Sequence, residues 1–340
     1  MTSNGANGQW CERGRSHDRS NRRTFMSPPP ATPSLRARLA GAVWGHLVGD
    51  AAGVPYEFRP PEAIGDFVFG ATGSHGQPPG TWSDDGSLML AGLDSLLSAG
   101  FDPADQGRRF VEWYRHGAYA PGALVFDVGH TTATAIANLE AGEDPVNAGP
   151  TQENSAGNGS LMRILPIALV GRSLSDERLV DQARLASQGT HGHPVAQMAC
   201  ALYCLAAREL LRGAGASAAL TAAARHLRQV LTDQADQEAL AALDRLWRSR
   251  ERSGGGVVWD SFWSAYDAFA GATSYTETIE AAVKLGNDTD TSAAIAGGLA
   301  GIHFGLNAIP TEWLERMRGG EIAQPLIDRL LESVPGQDLA

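Results

Sequence analysis

The sequence predicts an all-α fold, and three observations carry that prediction. Apolar residues recur at i, i+3 and i+4 along most of the chain from Leu35 onward. Runs of alternating β-branched residues are confined to positions 66–69 and 257–259, each enough for one weak strand at most. The 340 residues are 43% hydrophobic and 19% charged, with 3 cysteines, which sets aside a disordered chain and a disulfide scaffold and allows a large core.

The elements follow in order. A first helix is expected over 35–48. Residues 87–99 (SLMLAGLDSLLSA) repeat the pattern and stop at Gly100, the residue type that most readily ends a helix in the left-handed conformation. Helical periodicity continues over 103–116, 131–141, 160–170, 176–187, 194–212, 217–232, 237–250, 260–270, 275–285, 291–305 and 311–317. Pro194, directly after His193, suits a first helical turn, where its missing N–H is not needed. No fixed-period repeat is visible, which argues against a helical solenoid. The connections at 54–81, 119–130, 142–159 and 253–256 are long or rich in Gly and Pro, and such connections tend to carry function. One domain is expected over 34–334, with a disordered basic leader at 1–33 and a flexible tail at 335–340.

Charge is unevenly spread. The net charge is −11 overall, yet residues 1–33 hold five arginines against two acids, so the remainder carries −14. An acidic body repels phosphate backbones and disfavours a broad grip on nucleic acid. No stretch reaches the ~18–20 apolar residues of a membrane span, and the polar N-terminus lacks a secretory apolar region. A cytoplasmic, monomeric protein is the expectation, and Met26, ahead of Ser-Pro-Pro-Pro, is a candidate translation start. Cys200 and Cys204, four apart in an apolar run, read as buried helix thiols, and Cys11 stands alone.

Two acidic motifs precede helices. In Thr81-Trp-Ser-Asp-Asp-Gly86, Ser83 or Asp84 can serve as an N-cap, but two adjacent carboxylates plus a hydroxyl exceed what a cap requires. In Gly286-Asn-Asp-Thr-Asp-Thr291, capping by Asp290 or Thr291 is again available. If the two loops converge, Asp84, Asp85, Asp288 and Asp290 would repel one another unless a hard divalent cation compensates them, with Ser83 and Thr291 completing an all-oxygen set. Such a set favours Mg2+, Mn2+ or Ca2+ over zinc. An EF-hand starting at Asp288 fails, because its sixth and twelfth positions hold Ala293 and Leu299 rather than Gly and Glu.

Other polar elements can complete a site. Asp50 and Glu57 flank the end of the first helix. Asp127-Val-Gly-His-Thr-Thr132 offers a carboxylate and free N–H groups at a helix start, suited to a phosphate. Gly157-Asn-Gly-Ser160 reads as a second glycine-rich helix opening. His191 and His193 read as hydrogen-bonded structural or pocket-lining groups, and Trp82, Trp113, Trp259, Trp263 and Trp313 as core or pocket wall.

Through these residues the chain resembles the ADP-ribosylglycohydrolase family. The resemblance runs from about Leu35 to Leu314 and rests on the segment from Gly41 to Glu57, Thr81–Gly86, Asp127–Thr132, Gly157-Asn-Gly-Ser-Leu-Met-Arg163, Thr190-His191 and Val283–Thr291. It implies an all-α orthogonal bundle with a centre of two Mg2+ (or Mn2+) ions held by Ser83, Asp84, Asp85, Asp288, Asp290 and Thr291. It also implies that Glu57 guards that centre and that Glu57 and Asp127 are catalytic. Gly129, His130, Thr131, Gly157, Asn158, Gly159, Ser160, Met162 and His191 match regions that hold ADP-ribose. Many relatives carry Gly-Gly-Asp-Ala-Asp-Thr where this chain has Gly286-Asn-Asp-Thr-Asp-Thr291; the ligand positions survive and the turn differs. The implied reaction is hydrolysis at C1″ of the distal ribose of an ADP-ribosylated protein, with arginine as acceptor. Serine, nucleobase or O-acetyl linkages, a silent ADP-ribose-binding or toxin-immunity protein, and a nucleotide phosphoesterase are the alternatives.

Overall fold

A computed structural model describes residues 32–334; Cys11, Met26 and, apart from Thr32 and Pro33, the expected leader lie outside the described residues, as does the expected tail. The described residues form fourteen α-helices and five short 3-10 turns. They contain no named strand; the positions read as weak strands yield only an isolated bridge between Gly157 and Val257.

The helices are α1 (Leu35–Gly53), α2 (Asp84–Ala99), α3 (Pro103–His116), α4 (His130–Glu140), α5 (Leu165–Val170), α6 (Asp176–Gln188) and α7 (Pro194–Leu211). They continue as α8 (Ala216–Asp233), α9 (Gln237–Arg248), α10 (Val258–Ala270), α11 (Tyr275–Val283), α12 (Thr289–Phe304), α13 (Thr311–Arg316) and α14 (Gly320–Glu332). Side chains start several of them. Ser34, Asp102, Ser175, Asp236 and Ser274 each accept a backbone N–H in the first turn that follows, satisfying donors that have no partner within the helix.

Two helices organise the molecule. α1 and α12 make the most extensive contact in the fold, and its cause is a row of glycines at i, i+4 spacing. A methyl group at Gly41, Gly45 or Gly49 would fall 2.4, 2.4 or 2.1 Å from the carbonyl oxygens of Gly301, Gly297 and Ala293. At Gly53 it would fall 2.4 Å from the backbone of Asp290. Without side chains in this row the two backbones touch, and the first turn of α12 is pressed against the last turn of α1. The other organiser is α7, which the apolar run 198–207 buries on all sides against α5, α6, α8, α9, α10 and α12. Cys200 and Cys204 are fully buried there as free thiols.

The structure departs from the periodicity at two places. α14 is not among the helices named from the periodicity; it forms, despite Pro325 within it, because Ala323, Leu326, Ile327 and Leu330 bury one face against α1 and α2. Residues 157–163 do not open a helix. They form turns, and α5 begins only at Leu165, because the Asn158 amide donates to Ser261 Oγ and Asp288 Oδ2 and its N–H to Gly256 O.

Candidate active site

The starts of α2 and α12, two hundred residues apart in sequence, meet in space. Ser83 is the N-cap of α2, with Asp84 and Asp85 in the first turn; Asp288 occupies the cap position of α12, with Asp290 and Thr291 following. Asp85 Oδ2 accepts from Ser83 Oγ at 3.2 Å and from Thr291 Oγ1 at 3.3 Å, which joins the two loops directly. Ser83, Asp84, Asp85, Asp290 and Thr291 are buried and Asp288 is half-buried. Asp50, at the last turn of α1, fixes the start of α2: its carboxylate accepts the Ser83 N–H at 2.9 Å and the Gly86 N–H at 2.8 Å.

These carboxylates are poorly compensated by the protein. Burial first, and then the neighbouring acids, hold Asp84, Asp85 and Asp290 well above the usual carboxylate range. Burial raises Asp50 to about 7 against the pull of its N–H donors. Asp85 Oδ1 and Asp290 Oδ2 are buried without any hydrogen-bond partner. Among the described residues, no Arg or Lys lines the cleft beside them. A buried oxygen with no donor is costly, and two of them within an all-oxygen set fit a hard divalent cation.

The cleft has a volume of about 580 Å³. Glu57, Asp84, Asp127, Asp288 and Thr291 form its acidic wall; Gly129–Thr132, Gly157–Gly159, Met162 and His191 form the other. Of the residues expected to hold ADP-ribose, Ser160 alone lies off the cleft: its hydroxyl is fully buried and 2.8 Å from Ser187 Oγ. His130 and Gly129 are exposed at the N-terminus of α4, whose first N–H groups have no side-chain cap.

His191 is held from behind. Buried Arg163 donates to Thr190 Oγ1 at 2.6 Å and to Ala186 O at 2.9 Å, and its guanidinium lies over the Phe110 ring. The Thr190 hydroxyl also lies 3.0 Å from His191 Nδ1, and the opposite ring nitrogen, Nε2, faces Gly157 and Gly159. Burial, with Arg163 adding to it, lowers His191 to about 3, so the ring stays neutral. His193, by contrast, caps α7 through Nδ1, which accepts from the Val195 N–H. The five tryptophans singled out from the sequence stay off the cleft.

Glu57 and Asp127 face each other across the mouth. Burial, reinforced by Asp127, Asp288 and Asp50, pushes Glu57 up to about 10; burial and Asp288 push Asp127 to about 6. His75, Phe58 and Asn287 are also at the mouth; Asn287 belongs to the acidic motif before α12, whereas His75 and Phe58 have no signal in sequence beyond lying in a long connection. His75 Nε2 is 2.5 Å from Glu57 Oε2 and 3.9 Å from Asp127 Oδ1, and the three side chains could together hold a metal ion. Phe58 is 69% exposed at φ +63° and Asn287 has φ +61°. Two 2.7 Å backbone bonds, Phe58 N–H to Asn287 O and Asn287 N–H to Arg59 O, tie the Glu57 loop to the acidic loop of α12.

No helix is long and apolar enough to cross a membrane among the described residues. A family model described as ADP-ribosylglycohydrolase matches residues 31–340. An ADP-ribosylarginine hydrolase, Tri1, from Pseudomonas putida (strain GB-1) is 32% identical over 88% of this chain and 80% of its own length. A protein of the same description from Serratia proteamaculans (strain 568) is 30% identical over 92% and 84%. The ADP-ribosyl-[dinitrogen reductase] glycohydrolase of Rhodospirillum rubrum is 28% identical over 84% and 92%. A solved structure titled ADP-ribosylglycohydrolase-related protein complex superposes with a TM-score of 0.72 at 33% identity, covering 88% of this chain and 98% of that one.

Proposed function

The chain belongs to the ADP-ribosylglycohydrolase family of glycosidic-bond hydrolases, and from that premise we propose that it removes ADP-ribose from modified arginine side chains, using two divalent cations, Mg2+ or Mn2+. The observation that carries the metal part is the pair of buried, partnerless oxygens, Asp85 Oδ1 and Asp290 Oδ2. Ser83, Asp84, Asp85, Asp288, Asp290 and Thr291 would hold the ions, which when bound supply Lewis acidity and offset the repulsion among the acids. The arginine acceptor is supported by the two relatives described as ADP-ribosylarginine hydrolases.

The chain's own groups then have separable tasks. The uncapped N–H groups at the start of α4, from Gly129 to Thr131, face the cleft and suit the diphosphate. The neutral His191 ring, through Nε2, and the Gly157–Gly159 turn offer a polar contact and close backbone approach to the nucleoside side. Asn158 steadies Asp288 through a 2.7 Å hydrogen bond. Cleavage at C1″ develops positive charge on the ribose ring, and the acidic wall of Asp84, Asp127 and Asp288 stabilises it. Asp127, raised only to about 6, takes the proton of the attacking water, and Glu57, raised to about 10, delivers one to the departing nitrogen.

The test is product identification after incubation with Mg2+ and arginine-, serine- or nucleobase-linked ADP-ribose. Free ADP-ribose from the arginine substrate is expected. Release from another linkage alone overturns the acceptor, AMP as product points to phosphoester hydrolysis, and no release from any substrate refutes catalysis in favour of a binding role.

A further inference from the structure

The long connection 54–81 brings one side chain, His75, to the mouth of the cleft. Tyr56 Oη accepts the Val68 N–H at 2.7 Å and donates to Val68 O at 3.1 Å, pinning the loop to the turn after α1. Gly73 sits so close that a methyl group there would fall 2.1 Å from Pro55 Cα. Ser74 Oγ donates to Glu57 O at 2.6 Å, and Gly76, at φ +67°, closes the turn. His75 thereby arrives with Nε2 2.5 Å from Glu57 Oε2. Its ring lies between Phe58 and Phe126, at centroid distances of 5.6 and 5.1 Å.

Glu57 needs such a contact. Its side chain is only 3% exposed and faces Asp127, and among the described residues no Arg or Lys lines the cleft to hold it. A glutamate has three rotatable torsions, and the hydrogen bond with the imidazole restricts them. We propose that His75 is a positioning residue for Glu57: its imidazole holds the carboxyl in the rotamer that faces the reacting bond, and the two phenylalanines hold the imidazole. The shared hydrogen bond does this whichever partner carries the proton. This inference rests on the proton-transfer role given to Glu57 above.

The test compares His75→Ala, His75→Gln, Glu57→Gln and the double variant His75→Ala/Glu57→Gln in the full-length protein. Misplacing a catalytic group by about 1 Å costs about a hundredfold in rate, so His75→Ala should lower kcat by about tenfold to a hundredfold, leaving KM, Tm and Mg2+ affinity unchanged. His75→Gln, which keeps a polar atom within reach of Oε2, should recover most of the loss. The double variant should be no slower than Glu57→Gln alone. Equal losses in His75→Ala and His75→Gln, additive effects in the double variant, or a drop in bound metal in His75→Ala would each overturn the proposal; the last would make His75 a ligand. A readout independent of turnover separates this from failure of the functional reading: the ring 15N resonances of His75 should shift in Glu57→Gln, and unchanged resonances refute the pairing even if every substrate tested is inert.

Discussion

The glycine row of α1 yields a graded prediction linking packing to the site. Replacing a helical glycine by alanine favours the helix by about 0.5–1 kcal/mol when the methyl group has room. Gly92, inside α2, has nothing within 4 Å of that position, so Gly92→Ala should stabilise by that amount. At Gly45, Gly49 and Gly53 the methyl group would sit 2.1–2.4 Å from backbone atoms of α12, where ordinary contact begins near 3.4 Å. Opening each contact needs about 1 Å of movement between two packed helices, an overpacking cost of about 1–3 kcal/mol. After the propensity gain, a net loss of about 1–2 kcal/mol is expected, read by urea unfolding. Gly53 differs from the others because the atoms it would displace belong to Asp290. Gly53→Ala should therefore also weaken Mg2+ binding by about tenfold or more, measured by calorimetry, while Gly45→Ala, two turns away, leaves affinity within twofold. A Gly53→Ala protein with raised stability and unchanged Mg2+ affinity would refute the argument.

Three further outcomes are expected. Asp85→Ala and Asp290→Ala should abolish Mg2+ binding and turnover, and should raise the Tm of the metal-free protein, because each removes a buried oxygen without a partner from a crowd of mutually repelling acids; circular dichroism and calorimetry check both halves. Asp50 and Asp127 have native values raised to about 7 and about 6 from an ordinary value near 3.8, so the native state keeps protons that the unfolded chain has released. Their stabilising contribution is complete below about pH 4 and is lost as pH rises through 6 to 7; Tm in EDTA should fall between pH 5 and 7.5, and added Mg2+ should raise it more at pH 7.5 than at pH 5. Arg163→Ala strips donors from Thr190 and Ala186 and should cost about 2–4 kcal/mol in urea unfolding, with a weaker ADP-ribose affinity because the His191 ring loses its support; an unchanged affinity would remove His191 from the binding wall.

What could be read from the sequence, and what could not, divides along physical lines. Local periodicity and capping chemistry are short-range, so α3, α6 and α9 begin where the apolar spacing puts them, and α2 begins at Ser83, one of the two caps its motif offered. Asp84, Asp85, Asp288 and Asp290 stood out because paired acids at a helix start exceed the needs of a cap, and Thr291 does bond Asp85. His75 gave no such signal. Its partner is 18 positions away across an irregular loop, and nothing local distinguishes a histidine that will reach a glutamate from one left in solvent. Asp50 did stand out as a polar residue at the end of the first helix, but its fixing of the α2 start depends on a tertiary contact 33 positions away, which no local pattern reveals. Residues 157–163 failed as a helix for the opposite reason: their propensity was readable, and hydrogen bonds to α10 and the α12 loop overrode it.

The pairing of α1 with α12 also sets a timetable. Thr289 Oγ1 donates to Gly53 O across 236 positions of sequence. At a synthesis rate of about 5–20 residues per second, α1 waits roughly 10–50 s on the ribosome before its partner emerges. Throughout that interval its bare glycine row has no surface to rest on. The emergence of α12 therefore decides whether α1 finds its place, and nascent chains halted before α12 are expected to co-purify with chaperones whereas chains released after it are not.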